Sequence, residues 1–447
     1  MLIPLWSEPR SKETCMPDIT AKIAALSRDL DTAHGSVKER IERISSELSF
    51  AWRLRELHPD KATEWEQLIG RALDQVNAAF SGNACADLPA AVEKAEQILE
   101  PIGAVAKDYT VWNVGHGHID MNWMWSWPET VSVTIDTFRT VLALMDAYDD
   151  FHYSQSQTSV YDLLRIHDPK LLDRIAERVK EGRWEITASH WVEADKNLTG
   201  GESFCRHLLY TRAFMHEYFG LEPSDVPIDW EPDTFGHAHT IPSFLARGGV
   251  KRYYHCRSGI DQKRPAVFWW QAPDKSRVLV YHEIPGSWYN GRVEPGTTNS
   301  MIDFCKETGL NAWMNVYGVG DHGGGPTRED IERCHEMNAW PIYPTFVLSS
   351  TKPFYELLEE NGDRWATLDQ ELNFEFQGCY TTQTSIKKAN RFGENQLYES
   401  EAAATLASAQ TGMAYPAERF REGWINTLFS QFHDILPGSG VRDTRDY

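Results

Sequence analysis

His118 and Asp120 lie in the segment HGHIDMNWMWSW, directly after a short apolar run that has the character of a buried strand. The run, TVWNV at residues 110–114, is partly β-branched and is bounded by Gly115. Two side chains that are two positions apart on an extended backbone point the same way. An imidazole nitrogen and a carboxylate that converge there suit Zn²⁺ or another borderline cation. The same spacing also fits a strand-end turn in which both side chains only satisfy backbone groups.

Ligand-type side chains also follow other predicted strands. Asp233 lies in IDWEPDTFGHAHT, Asp321 lies in the glycine-rich turn GVGDHGGGPT, and Glu193 and Asp195 follow a further strand. Ligand sites in α/β folds lie at the carboxyl ends of strands, so this repeated placement predicts one shared site. His433, in QFHDILPGSG, lies at the end of a predicted helix, from which its side chain can reach inward.

Other kinds of site compete with this interpretation. His116 and His118 form an HxH pair after the first strand, which is typical of metal-dependent amidohydrolases that bridge two metal ions. His237, His239 and His255 could supply the further ligands that such a site needs. The stoichiometry of the metal, one ion per chain or two, would separate the two cases. The glycine-rich turn superficially resembles a phosphate loop, but it lacks the GK[ST] lysine that would meet a phosphate.

The apolar patterning predicts an α/β fold between two helical regions. Residues 1–107 have helical periodicity, and residues 361–447 return to it as a bundle-like domain. Residues 108–360 alternate short apolar strands with helical stretches, which predicts a largely parallel, barrel-like catalytic domain. The predicted strands are residues 110–114, 151–156, 184–189, 228–230, 252–255, 278–282 and 313–317.

The composition limits the partners and the compartment. The chain has 447 residues, 41% of them hydrophobic, and a formal net charge of −21, so a large core is expected. A surface this acidic repels nucleic acid and anionic membranes, which makes a neutral substrate the expectation. The seven cysteines form no CxxC pair, and no segment reaches transmembrane length. A cytoplasmic location is therefore expected.

Six segments, taken in order, resemble glycoside hydrolase family 38, the retaining α-mannosidases. They span roughly residues 108–447 and read GHIDMNW, GRWEITASHWVEADKNLTGGES, EPDTFGH, GDHGGGPT, EFQGCYTTQ…KKANR and QFHDILPGSG. The variants look closest to the cytosolic and bacterial branch of the family. Family members continue into large β-rich C-terminal domains, which this chain is expected to lack. A catalytically impaired carbohydrate-binding fragment is therefore an alternative, and exposed apolar surface with self-association into a homo-oligomer is expected.

The resemblance implies a role for each matched position. The family's zinc ligands match His118, Asp120, Asp233 and His433. One zinc ion per chain is implied, and another divalent cation such as Co²⁺ would also suit. Asp233 matches the family nucleophile as well. Asp321 lies in the loop that matches the family's acid/base, and Glu193 and Asp195 are the alternative candidates for that role.

The implied activity is the hydrolysis of terminal α-D-mannosyl residues from oligosaccharides or mannosides. Mannose carries O2 and O3 in a cis relation, so one cation can hold both oxygens. The expected carbohydrate partner would be contacted by a sugar-stacking tryptophan and by four polar residues: Trp123, Glu193, Asp195, Tyr380 and Arg391.

Overall fold

The structure is a computed structural model that describes residues 19–28, 35–81, 87–257, 264–373 and 375–445. The chain divides into two compact units, residues 1–109 with 339–345, and residues 110–338 with 346–447. The three-domain division at residues 107 and 360 stays a prediction.

The first unit is helical because its sequence places apolar residues on one face of each turn. Ile41, Ile44 and Leu48 recur at helical spacing and are almost fully buried. Glu47 is a buried carboxyl on the same helix, and its Oε1 accepts the main-chain N–H of Ile342 at 3.1 Å. The helices of this unit are α1 (Ile19–Arg28), α2 (Ser36–Leu54), α3 (Ala62–Ser81) and α4 (Leu88–Ala106).

The second unit alternates strands and helices. Its strands, which are short and mostly buried, are β1 (Thr110–Gly115), β2 (Tyr153–Gln155), β3 (Trp184–Ile186), β4 (Ile228–Glu231), β5 (Arg252–His255), β6 (Val267–Gln271), β7 (Arg277–His282), β8 (Ala312–Tyr317), β9 (Thr345–Ser349) and β10 (Thr367–Leu368). The helices are α5 (Trp127–Ala147), α6 (Thr158–His167), α7 (Pro169–Lys180), α8 (Gly201–Phe219), α9 (Ile241–Arg247), α10 (Thr297–Thr308), α11 (Arg328–Asn338), α12 (Lys352–Glu360), α13 (Thr384–Thr411) and α14 (Ala417–Phe429).

Most strand pairs are parallel, which confirms the predicted α/β class. β1 pairs with β8, β2 with β3, and β5 with both β4 and β7, all in parallel register. Among the described residues the strands form three separate sheets, ordered β8-β1-β9, β10-β6-β7-β5-β4 and β2-β3. A closed barrel is therefore not confirmed. β6 runs antiparallel to β7 and was not predicted, because its run VFWWQ shows no clear alternation.

The polar segments that follow the parallel strands lie together, at the edge where those strands end. β1 ends at Gly115, just before His116–Asp120, and β4 ends two residues before Asp233. The segment that follows α14 reaches the same place, because the main-chain N–H of His433 donates to the carbonyl of Glu193 at 3.1 Å. Residues distant in the chain are thereby brought into one site.

Two further features concern the helices and the cysteines. None of the described helices combines the length and the apolar character needed to cross a bilayer. Cysteines of the described part are free thiols, namely Cys205, Cys256, Cys305, Cys334 and Cys379, whereas Cys15 and Cys85 lie outside the described residues.

Candidate metal centre and active site

Four buried side chains bring metal-ligand atoms together at this edge of the sheets. His118, Asp120, Asp233 and His433 each offer one ligand atom within 4.8 Å of the others, and we call them the ligand quartet. Oδ1 of Asp120 is 3.0 Å from Nε2 of His118 and 3.5 Å from Nε2 of His433. Oδ2 of Asp233 is 3.7 Å from Nε2 of His433. The structure thus brings together the four residues that the resemblance matched to zinc ligands.

The surroundings of His433 show that the quartet fits a cation. Nδ1 of His433 donates to the main-chain oxygen of Glu193 at 3.0 Å, which leaves Nε2 to face the carboxylates. Nε2 is buried and has no hydrogen-bond partner in the described structure. Burial lowers the pKa of His433, but Asp120 and Asp434 raise it to about 9. The carboxylates therefore favour a positive charge beside Nε2 of His433, and a divalent cation would supply it.

A carboxylate behind the quartet lies within ion-pair distance of His118. Oε2 of Glu193 lies 3.1 Å from Nδ1 of His118, and the hydroxyl of Ser156 donates to Oε1 of Glu193. Burial raises the pKa of the Glu193 carboxyl, but His118 and His433 hold it below its usual value. A carboxylate in this position fixes the ring and increases the basicity of the ligating nitrogen. The predicted contact of Glu193 with substrate stays a prediction.

Arg257 holds the carboxylate of Asp233 from the side opposite His433. Its Nε donates to Oδ1 of Asp233, while Oδ2 faces His433. Burial raises the pKa of Asp233, and His433 and Arg257 oppose that rise. The two oxygens of Asp233 thus have different partners: Oδ1 bonds to a guanidinium, and Oδ2 faces His433 of the quartet. That arrangement suits a carboxylate that ligates a cation with one oxygen and stays fixed in direction.

Asp321 lies next to the quartet. Its main-chain oxygen accepts the N–H of Asp120 at 2.9 Å, and the hydroxyl of Tyr289 donates to its Oδ1 at 3.0 Å. Its backbone is left-handed, with φ of 66°. The next residue, His322, turns away, with Nε2 2.7 Å from Oε1 of Glu129. Asp321, rather than its neighbour, is therefore the side chain that the glycine-rich turn presents beside the site.

The other predicted substrate residues surround the loop at residues 195–198. Oδ1 of Asp195 accepts the main-chain N–H groups of Asn197 and Leu198 at 2.9 and 2.6 Å. The hydroxyl of Tyr380 accepts from Nδ2 of Asn197 at 2.8 Å. Arg391 donates to the carbonyl of Leu198 at 3.1 Å. These bonds support the loop, and roles in substrate binding stay predictions.

Trp123 is half-buried in the loop that follows the first two ligands. Its main-chain oxygen accepts the N–H of Val441 at 2.7 Å, which ties that loop to the segment after His433. Its role as a sugar platform also stays a prediction.

The HxH interpretation finds little support in the contacts of His116. Nδ1 of His116 lies 3.0 Å from the carbonyl of Ser154, and Nε2 accepts from the indole N–H of Trp230 at 3.4 Å. Burial lowers the pKa of His116 to about 4, so it is a neutral imidazole with both nitrogens engaged. It could join His118 and Glu193 around an ion through Nε2 only by giving up the bond from Trp230.

The sequence patterns did not identify Arg257 or Tyr289 as residues of the site. Arg257 follows the carboxyl end of β5 by two residues, so the rule that ligand sites gather at strand ends could have identified it. Tyr289 lies in the connection after β7, where no spacing or motif marked it.

The chain belongs to glycoside hydrolase family 38. Residues 108–378 match the glycosyl hydrolases family 38 N-terminal domain, and residues 375–446 match the alpha mannosidase middle domain.

Curated relatives of the chain are named alpha-mannosidases. Alpha-mannosidase G of Dictyostelium discoideum is 32% identical over 342 residues, which cover 74% of this chain and 30% of the relative. Alpha-mannosidase 2C1 of Homo sapiens is 32% identical over 341 residues, covering 75% of this chain and 32% of the relative. The chain thus spans about a third of the length of these relatives.

The fold has relatives among solved structures. The crystal structure of an alpha-mannosidase from Enterococcus faecalis V583 superposes with a TM-score of 0.65 at 21% identity, over 76% of this chain and 40% of that chain. At this level of identity the similarity establishes the fold.

Proposed function

We propose that this chain carries the catalytic site of a retaining α-mannosidase that removes terminal α-D-mannosyl residues from oligosaccharides or mannosides. The proposal rests on the carboxylate of Asp233. This carboxylate accepts a hydrogen bond from Arg257 and also belongs to the buried ligand quartet. A second carboxyl residue, Asp321, adjoins the quartet, because its main-chain oxygen accepts the N–H of Asp120. Two carboxyl groups with separate environments are what glycoside hydrolysis requires. The names of the relatives support mannose as the sugar.

The proposed cofactor is one zinc ion, held by His118, Asp120, Asp233 and His433. Two imidazoles and two carboxylates are a donor set that zinc accepts, and Co²⁺ would also be compatible. When bound, the ion would act as a Lewis acid and as a template for two neighbouring sugar hydroxyls.

In the first step Asp233 attacks the anomeric carbon, and the bond from that carbon to the leaving oxygen breaks. Asp321 donates its proton to the leaving oxygen, so the alcohol departs neutral and a glycosyl ester on Asp233 remains. Arg257 keeps the attacking carboxylate in one orientation, which reduces the ordering needed at the transition state.

In the second step water attacks the same carbon and displaces Asp233. Asp321, now ionised, accepts the proton of that water. Two inversions give net retention, and both carboxyl groups return to their starting states. Tyr289 keeps Asp321 directed at the site through both steps.

Hydrolysis of 4-nitrophenyl α-D-mannoside by the purified chain tests the proposal. We expect activity that is lost on chelation, restored by zinc or cobalt, and abolished in Asp233→Asn. Proton NMR of the first product should show the α-anomer. Activity that survives both chelation and Asp233→Asn would exclude this mechanism.

Two outcomes would favour the alternatives. Hydrolysis of an acyl amide with two metal ions per chain would favour an amidohydrolase. Binding of mannosides without turnover would favour a carbohydrate-binding fragment. A cytoplasmic location and a homo-oligomeric state remain predictions, and sedimentation would test the second.

A further inference from the structure

A second cluster of charged side chains is buried close to the ligand quartet. Lys196 is 1% exposed, and its Nζ lies 3.0 Å from Oδ2 of Asp229 and 2.6 Å from Oε1 of Glu231. Oδ1 of Asp229 lies 2.7 Å from Nδ1 of His190 and accepts the hydroxyl of Ser189 at 2.5 Å. The mechanism proposed above uses none of these groups.

We propose that Lys196 is a positioning residue for Asp233, acting through Glu231 and Thr234. This inference rests on the proposed function, because it concerns the residue that attacks the sugar.

A chain of short bonds leads from the lysine to the nucleophile. Lys196 binds Oε1 of Glu231, and the hydroxyl of Thr234 donates to Oε2 of the same carboxylate at 2.6 Å. Thr234 follows Asp233 directly in the sequence. Glu231 therefore clamps the turn that carries Asp233, with the ammonium on one oxygen and the threonine on the other.

The position of β4 explains why this turn needs a clamp. Among the described residues, β4 is the edge strand of its five-stranded sheet, in which it pairs with β5 alone. Asp229 and Glu231 lie two positions apart on β4, so their side chains leave the same face. Lys196 binds both of them, and its backbone forms an isolated parallel bridge to His237, beyond the turn. The lysine segment thus braces the edge strand just before and after Asp233.

The ammonium also prevents the cluster from becoming a second metal site. His190, Asp229 and Glu231 have ligand atoms within 4.8 Å of one another, which would suit a cation. Lys196 places a covalently attached positive charge there. Burial lowers the pKa of Lys196, but Asp229 and Glu231 raise it above its usual value, which favours the ammonium form. A covalently attached ammonium does not exchange with solvent as a bound metal ion does, so its contact with Glu231 needs no metal in the quartet.

Thr234→Val tests the clamp with little change in volume, and Thr234→Ser restores the hydroxyl. For the metal-loaded chain we expect Thr234→Val to lower kcat for 4-nitrophenyl α-mannoside roughly 10- to 100-fold, with KM nearly constant. We expect the same loss with 2,4-dinitrophenyl α-mannoside, because nucleophilic attack and not protonation is impaired. Thr234→Ser should recover most of the rate. Metal content and the melting temperature serve as readouts that do not depend on activity.

Lys196→Met, alone and with Thr234→Val, shows whether the lysine acts through the threonine. If the two belong to one chain of contacts, the double variant should be no slower than Lys196→Met alone. Where Lys196→Met fails to fold, the Thr234→Val and Thr234→Ser pair decides the question. Ser189→Ala is the control, because it removes a bond to Asp229 on the side away from Thr234. It should lower the melting temperature and leave kcat within about twofold.

Three outcomes would overturn the inference. They are full kcat in Thr234→Val, a loss seen only with the poorer leaving group, and additive losses in the double variant. An inactive wild-type chain with intact metal binding would instead count against the proposed function itself. The two failures are therefore distinguishable.

Discussion

The carbonyl of Glu193 accepts two hydrogen bonds from His433, one from its main-chain N–H at 3.1 Å and one from its Nδ1 at 3.0 Å. The first bond sets where the backbone of His433 lies, and the second sets which ring nitrogen faces the quartet. The side chain of Glu193 meanwhile approaches His118. One residue thus contacts both imidazoles of the quartet.

Glu193→Gln should weaken metal binding. The variant keeps the carbonyl but removes the negative charge next to Nδ1 of His118, and loss of such a partner typically costs about 10- to 100-fold in metal affinity. Competition with a chromogenic chelator measures the change. Glu359→Gln, which removes a partly exposed carboxylate paired with Arg252, is the control and should bind metal as the wild type does. Equal affinities in all three proteins would show that Glu193 does not orient the ligand.

Asp321→Ala should slow hydrolysis in a way that depends on the leaving group. Proton donation contributes about 10² to 10⁴ in rate, so a poor leaving group should suffer a loss of that size. With 2,4-dinitrophenyl α-mannoside, whose leaving group needs no proton, we expect a much smaller effect on the first step. Added azide should accelerate turnover of the glycosyl-enzyme and give a mannosyl azide. The same loss for both substrates would assign the acid/base to another residue.

Tyr289→Phe should reduce kcat through Asp321. The variant loses the hydroxyl that donates to Oδ1 of Asp321, and one such bond is worth about 1 kcal/mol, or roughly a fivefold change in rate. Steady-state kinetics on 4-nitrophenyl α-mannoside measures it. In an Asp321→Ala background the same substitution should have little further effect, and a full additional loss would contradict the link.

Glu47→Gln should stabilise the chain at alkaline pH. Burial, together with Glu96, raises the pKa of Glu47 to about 8. Because the folded state prefers the protonated carboxyl, the stabilisation is complete below the usual pKa near 4.5 and is lost as pH rises through about 8. The amide in the variant does not ionise. Its melting temperature should therefore exceed that of the wild type by several degrees at pH 9 and by less at pH 5.

Glu93→Gln is the matched control for Glu47→Gln. Glu93 is exposed on α4, so its substitution should change the melting temperature equally little at both pH values. A Glu47→Gln curve parallel to that of the wild type from pH 5 to 9 would refute the assignment.

Gly318→Ala should disrupt the turn that presents Asp321. Gly318 has φ of 130°, and a Cβ there would lie 2.1 Å from the carbonyl oxygen of His116. We expect both a large loss of stability, on the order of several kcal/mol, and loss of activity. Gly412→Ala is the control, because Gly412 also has a positive φ, of 71°, but no atom lies within 4 Å of the added methyl. It should cost about 1 kcal/mol and leave kcat unchanged. Denaturant titration compares the two.

The α/β class and the edge where the site forms were predictable from local patterns. Apolar runs gave the approximate bounds of β1, β5 and β8, and polar residues after the strands indicated a common site. The place of His433 at a predicted helix end indicated only that its side chain could reach inward. Its assignment as a metal ligand came from the resemblance, since nothing in its spacing relates it to His118. The rule that ligand sites gather at strand ends could have identified Arg257, but the residue was not predicted.

Other parts of the structure depend on contacts that no local pattern records. Tyr289 meets Asp321 only because two long connections after different strands lie side by side. β6 is a buried aromatic run whose antiparallel direction depends on its partner β7. The predicted closure of the strands into a barrel is not confirmed, because the described strands form three separate sheets.

Val441 donates to the carbonyl of Trp123, and His433 faces Asp120 in the quartet, so the segment after α14 is joined to the loop after β1 at two points. A cation held by both segments would act as a cross-link between regions far apart in the chain. Chelation would then do more than stop turnover. It would release a long loop, lower the cooperativity of unfolding, and open residues 430–441 to proteolysis and hydrogen exchange.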